Sequence, residues 1–325
     1  MKRRHFITLL GSAAAGWPLR ARAQANKIVR IGFLGGESAV ESASRVEGFR
    51  SGLRDLGYID GSNTVIIYRW AEGNYERLPS LAAELVRSGV DVIVTGGTPG
   101  SLAAKQATAT IPIVIANIGD PVSTGVVASI ARPGGNITGQ SFFSPELGGK
   151  RIELLKEMMP QLTQMAILFN PNNPINRPTL QAMETTAQAY RLELQQFPVR
   201  RPSEFEGAFE RMEHESILAV AIDDDGMVAA RAGEVAKLAS KRRILSIGPK
   251  EFAQAGCVMG YGADRVATYR QTAKFVDRII KGAIPADIPI EQATKFDFVV
   301  NLKSAKALGL DVPPILLVRA DEVLE

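Results

Sequence analysis

From residue 27 onward, short runs of β-branched and aliphatic residues alternate with stretches whose apolar positions return every three or four residues. The runs predict strands at 28–34, 64–70, 91–95, 112–116 and 137–141, then at 164–169, 193–198, 217–222, 244–247 and 257–261. Between them, residues 43–56, 75–87, 99–108, 147–159 and 263–280 carry helical periodicity. In the last stretch Val266, Tyr269, Ala273, Val276 and Ile280 define one apolar face. Strands of near-continuous Val and Ile need cover on both faces, which a parallel sheet wrapped by helices supplies. The repeated alternation therefore predicts an α/β chain of two doubly wound parallel-sheet lobes, about five strands in each. Residues 295–301 add a strand and 304–308 a short helix. The apolar run after Pro313 and Pro314 is too short for a third domain and is expected to cross back onto both halves.

Composition agrees with a globular chain: 325 residues, 46% hydrophobic, 22% charged and 6% aromatic, with mean hydropathy +0.02. That length allows two domains at ~150 residues each. The net charge of +4 is local, because Lys2, Arg3, Arg4, Arg20 and Arg22 all fall within residues 1–23, which hold no acids. Without these five cations the charge is −1, which removes the case for a nucleic-acid partner. One cysteine (Cys257) and two histidines exclude internal disulfides, Cys-rich zinc sites and CxxC redox chemistry.

Residues 1–23 read as an export signal, with a basic start, an apolar stretch over 6–17 and the small-x-small site Ala21-Arg22-Ala23. The apolar stretch is too short to span a ~30 Å hydrocarbon core, so stable membrane insertion is not expected. Arg3-Arg4-x-Phe6-Ile7 resembles a twin-arginine signal, although Lys2 departs from that motif and leaves the general secretory route open. No cysteine follows for lipid anchoring, and a periplasmic location is expected.

Ligands of doubly wound sheets sit beyond the carboxyl ends of the strands. The loops there are 35–38 (Gly-Gly-Glu-Ser), 95–101, 117–121, 170–174, 223–225 (Asp-Asp-Asp) and 248–249. Thr98 before Pro99 suits either a helix cap or a ligand contact, since helix-start amides attract anions. Asp223, at a strand end, suits a ligand amine or a cap. Asn170 and Asp120 precede prolines and are also turn starters. Tyr261, Phe142, Phe143 and Trp70 would wall an apolar ligand or pack in a core. GxGxxG, P-loop and GxSxG motifs are missing, and His214 has no nucleophile beside it in sequence. Cys257 reads as a buried strand residue. Three consecutive acids in a turn point in different directions, against a metal site at 223–225. No cofactor, metal or catalytic residue is expected, and an exported enzyme is the weakest reading.

Asp120-Pro121-Val122-x-Thr124-Gly125-Val126-Val127-Ala128-Ser129-x-Ala131-Arg132-Pro133-Gly134-Gly135-Asn136-Ile137-Thr138-Gly139 resembles a signature stretch of the ABC-transporter substrate-binding proteins of the tryptophan/tyrosine type. Gly97-Thr98-Pro99, the run 105–112, Tyr261-Gly262-Ala263-Asp264 and the tail from Lys303 to Val323 are similar to that family too. The resemblance covers nearly the whole mature chain. It implies a type I periplasmic-binding-protein fold, with a first lobe of 27–141 plus 262–294 and a second of 145–256 plus 302–325. Three crossovers would lie near 141–145, 256–261 and 295–301. It further implies that Ser38, Thr98 and Asp120 face the cleft from the first lobe, Asn170 and Asp223 from the second, with Tyr261 near the hinge. The implied function is capture of a small amino acid-like ligand, aromatic ones included, for an ABC permease and its ATPase. The alternative is a periplasmic ligand-sensing subunit for a membrane receptor. Glu37 departs from the small polar residues common in its loop; facing the cleft, it would disfavour a purely anionic ligand.

Overall fold

The computed structural model describes residues 28–142 and 144–325; residues 1–27, with the expected export signal, and Phe143 lie outside the described residues. Thirteen strands are β1 (Val29–Gly35), β2 (Thr64–Trp70), β3 (Val92–Thr95), β4 (Ile113–Ile118), β5 (Ile137–Ser141), β6 (Gln164–Phe169), β7 (Glu193–Pro198), β8 (Ala219–Ile222), β9 (Leu245–Gly248), β10 (Met259–Gly262), β11 (Glu291–Gln292), β12 (Asp297–Asn301) and β13 (Glu322–Leu324). The helices are α1 (Ala43–Asp55), α2 (Leu78–Arg87), α3 (Gly97–Ala107), α4 (Ser144–Met158), α5 (Asn176–Ala189), α6 (Phe205–His214), α7 (Gly226–Ala229), α8 (Ala232–Lys241), α9 (Lys250–Gln254), α10 (Arg265–Ile280), α11 (Leu302–Leu308) and α12 (Pro314–Arg319).

Two sheets form, in the orders β11-β5-β4-β3-β1-β2 and β13-β12-β10-β9-β8-β6-β7. They hold six and seven strands rather than about five, because the short late strands add to the far edges. Pairing is parallel except for β12, which runs antiparallel to β10. The central strands are buried on both faces, as their composition requires, while β2, β7, β11 and β13 at the sheet edges are partly exposed. In β3, Val92 and Val94 pack with Phe49 of α1 and Phe275 and Val276 of α10, while Ile93 packs with Leu81, Leu85 and Ala104 of α2 and α3. In β6, Ala166 and Leu168 meet Phe205, Phe209 and Val235, and Met165 and Ile167 meet Ile152, Leu155 and Met183.

The chain passes between the lobes after β5, after β10, and between β11 and β12. The second passage returns α10 to the first lobe, where it lies on α1. Gly52 is needed there, because a Cβ would overlap the Arg270 carbonyl oxygen. The buried face of α10 is Tyr269, Thr272, Ala273, Phe275, Val276 and Ile279. Val266, expected on that face, is 42% exposed. In the tail, β13 pairs β12 and Leu316 of α12 joins the second lobe's core, so the apolar run after Pro314 packs on that lobe and not across both halves.

Candidate functional site

In each sheet the strand order reverses beside the first strand of its lobe, between β1 and β3 and between β6 and β8. Such switch points leave a crevice beyond the strand ends. The two crevices face each other across a narrow cavity that both lobes line. Gly36 and Glu37 follow β1, and Gly96 to Gly100 follow β3; Asn173 and Ile175 follow β6, and Asp224 and Gly226 follow β8. Arg45, Tyr75, Phe142, Arg265 and Tyr269 complete the polar and aromatic wall.

At the start of α3 no side chain caps the helix. Thr98 is 1% exposed and its hydroxyl has no hydrogen-bond partner among the described residues, although it lines the cavity. A buried hydroxyl beside free helix-start amides is a place for an acceptor.

The charges come in both signs. Arg45 Nη1 donates to Glu37 Oε1 at 3.3 Å, and Nη2 donates to the Glu41 carbonyl and to Ser42 Oγ. Burial is the largest influence on Arg45 and opposes its charge, but Glu37, Tyr269 and Glu251 together outweigh it and raise its pKa. Asp224 lies between two guanidinium groups, Arg151 at 2.7 Å and Arg265 at 3.3 Å. Arg265 is likewise buried, yet Glu251, then Asp224 and Glu37, raise its pKa. Arg151, 1% exposed, also donates twice to the Tyr261 carbonyl, tying α4 to the ends of β8 and β10.

The lobes touch across the cleft. Tyr75 Oη donates to Asp225 Oδ2 at 3.1 Å and accepts from the Met227 amide at 3.2 Å, while Arg231 pairs with Glu41 at 3.0 Å. Gly226 sits so close to the first lobe that a Cβ would overlap Glu37 Oε1.

Of the six residues expected at the site, Thr98 alone lines this cavity. The Ser38 hydroxyl and amide both donate to Glu41 Oε2, closing a local turn. Asp120 Oδ1 accepts from the amides of Val122 and Ser123, the turn role open to an Asp before Pro. Asn170 is buried, donates to Asp225, and lines a separate pocket with Asn74 and Arg200. Tyr261 packs on Phe296 and the second lobe's core. Asp223 is enclosed with neither carboxylate oxygen hydrogen-bonded, and burial, then repulsion from Asp224, pushes its pKa up to about 7. Successive side chains at a strand end point opposite ways, so Asp224 meets the cavity where Asp223 was expected. The three acids do diverge, Asp224 to arginines and Asp225 to Tyr75, Asn170 and Asn173. Among the described residues no group of three or more His, Cys, Asp or Glu is placed to hold a metal ion. Cys257 is buried.

Arg45 and Arg265 were not singled out in the sequence, yet a signal existed. Arg45 precedes Phe49 by four on the buried face of α1, and Arg265 precedes Tyr269 by four on that of α10. A charge on an apolar face is unexpected unless it is paired or functional.

Comparison with known proteins follows the same lines. A curated relative, the tyrosine-binding protein of Clostridioides difficile (strain R20291), is 25% identical over 317 residues, covering 96% of this chain and 90% of the relative. The crystal structure of a conserved domain protein from Vibrio cholerae superposes with a TM-score of 0.86 at 26% identity, covering 91% of this chain and all of that one. An ABC domain from Streptococcus pneumonia in complex with L-Trp gives 0.85 at 24% identity, covering 92% and 100%. Among the described residues no helix is long and apolar enough to cross a membrane. The model of the ABC transporter substrate binding protein family matches residues 33–324, and the chain belongs to that family.

Proposed function

We propose that this protein captures an amino acid-like ligand, aromatic ones included, between its lobes and delivers it to an ABC permease with its ATPase. The observation that carries this reading is the cavity at the two facing switch points, which offers both charge signs, an unpartnered Thr98 hydroxyl and aromatic walls. The ligand carboxylate lies on Thr98 and the amides at the start of α3. Its side chain packs among Tyr75, Leu78, Phe142 and Ile175. The similarity to a tyrosine-binding protein supports the same class. Contacts made to both lobes at once favour the closed arrangement, and the permease recognises that form. The work is done in the periplasm after removal of residues 1–23.

Thermal unfolding and calorimetry with L-tyrosine, L-tryptophan, other amino acids and amine-free aromatic carboxylates test the proposal. A bound ligand at ~100 Kd stabilises by about 2.7 kcal/mol. Stabilisation by amine-free carboxylates and by no amino acid overturns the ligand class.

A further inference from the structure

We propose that Glu37 is the residue that makes this cavity select a ligand bearing a primary ammonium. The proposal rests on the amino acid reading above and adds the group that enforces it. Two acids line the cavity, Glu37 and Asp224, and Asp223 and Asp225 stand behind them. Asp224 is occupied, one oxygen by Arg151 at 2.7 Å and the other by Arg265 at 3.3 Å. Asp225 is occupied by Tyr75, Asn170, Asn173 and the Val228 amide. Asp223 is enclosed and does not line the cavity.

Glu37 differs from all three. Its side chain is 13% exposed, and its contacts are Arg45 Nη1 at 3.3 Å and Ser42 Oγ at 3.5 Å. Charge-assisted N–H···O bonds normally run ~2.7–2.9 Å, and a carboxylate offers about four acceptor sites. Both contacts are long and acceptor capacity remains. Gly226 of the second lobe crowds Oε1 so closely that no added atom fits between them, so the open acceptor capacity lies on Oε2, held only by the Ser42 hydroxyl. An ammonium, with three donors in a compact head, completes Glu37 there. A ligand without the amine leaves this carboxylate desolvated with its acceptors unfilled, and a missing partner at a built polar site is what gives strong discrimination.

The test uses matched pairs: L-tyrosine against 3-(4-hydroxyphenyl)propanoate, and L-tryptophan against indole-3-propanoate. Calorimetry is run on the parent protein, Glu37→Gln, Glu37→Asp and Asp223→Asn. The parent is expected to prefer the amine-bearing member of a pair by ~30-fold or more. Glu37→Gln is expected to lose that preference while binding the amine-free member as well as before or better, because Arg45 is released toward the carboxylate. Glu37→Asp retains part of the preference. A ratio read within each variant is insensitive to any common loss of folded protein. The parental ratio surviving in Glu37→Gln overturns the assignment, as does its loss in Asp223→Asn alone. A parent that binds neither member of either pair, or prefers the amine-free one, overturns the amino acid reading and this assignment together.

Discussion

Tyr75 of the first lobe places its hydroxyl 3.1 Å from Asp225 Oδ2 of the second and takes the Met227 amide proton at 3.2 Å, so one side chain bridges the cleft twice. Burial, then the nearby Asp225 and Glu37 charges, raises the Tyr75 pKa well above 10, keeping the hydroxyl a donor. Tyr75→Phe removes both bonds and keeps the ring. With each hydrogen bond contributing about 1 kcal/mol, ligand affinity is expected to fall roughly five- to thirtyfold. Calorimetry measures the loss, and small-angle scattering should show a more open ligand-free form.

Gly226 meets Glu37 across the same cleft, and any side chain there must displace it. Gly226→Ala is expected to weaken binding modestly, since a flexible carboxylate can move aside. Gly226→Leu should hold the lobes apart, raising the radius of gyration at saturating ligand and costing at least ~tenfold in affinity. A scattering profile identical to that of the parent would show that the lobes do not close on this contact.

Thr98 carries a buried hydroxyl with no hydrogen-bond partner among the described residues. Thr98→Val deletes it at nearly constant shape. Because no described protein group is bonded to it, thermal stability should be unchanged or slightly higher, while affinity falls by ~1–1.5 kcal/mol, about tenfold. Equal affinity in the two proteins would place the ligand carboxylate elsewhere.

Asp223 gives a pH signature. Its pKa is about 7 in the folded chain, against an ordinary value of 3.8. Between those pH values the folded state holds a proton that the unfolded state has released, so this group lowers stability as pH rises from about 4 to about 7, with no further change above. Asp223→Asn should abolish that slope and stabilise the protein at pH 8 by ~2–4 kcal/mol. Urea unfolding at pH 5 and pH 8 checks both the sign and the size.

Arg151 is enclosed with Asp224, and the pair is shared with the Tyr261 carbonyl. Removing one member of a buried pair strands the other charge, typically costing ~3–5 kcal/mol. Arg151→Met should therefore destabilise the fold by that order, read from the shift in the urea midpoint.

The periodicity of the chain was enough to specify two covered α/β sheets and the strands β1 to β10 and β12 to within a few residues. Runs such as Val92–Thr95 and Ala219–Ile222 can be satisfied only by burial on both faces. The late elements were less legible. β11 has two residues and β13 three, and their place depends on pairing with distant partners, Gln140 and Ser141 for one and Val299 to Asn301 for the other. For the candidate site, the sequence located the loops at the strand ends, and of its proposed residues Thr98 lines the cavity, a position where cap chemistry and anion chemistry share one residue type. It could not choose between Asp223 and Asp224, which share composition and environment along the chain and differ only in the direction each faces at the end of β8. Nor could it bring Arg45 and Arg265 together. That proximity depends on α10 returning from the second passage to lie on α1, at a spacing set by glycines more than two hundred residues from the backbone they admit. Local pattern fixes which face of an element is buried; which charges then meet depends on how the finished elements pack, and that is decided only when the lobes are assembled.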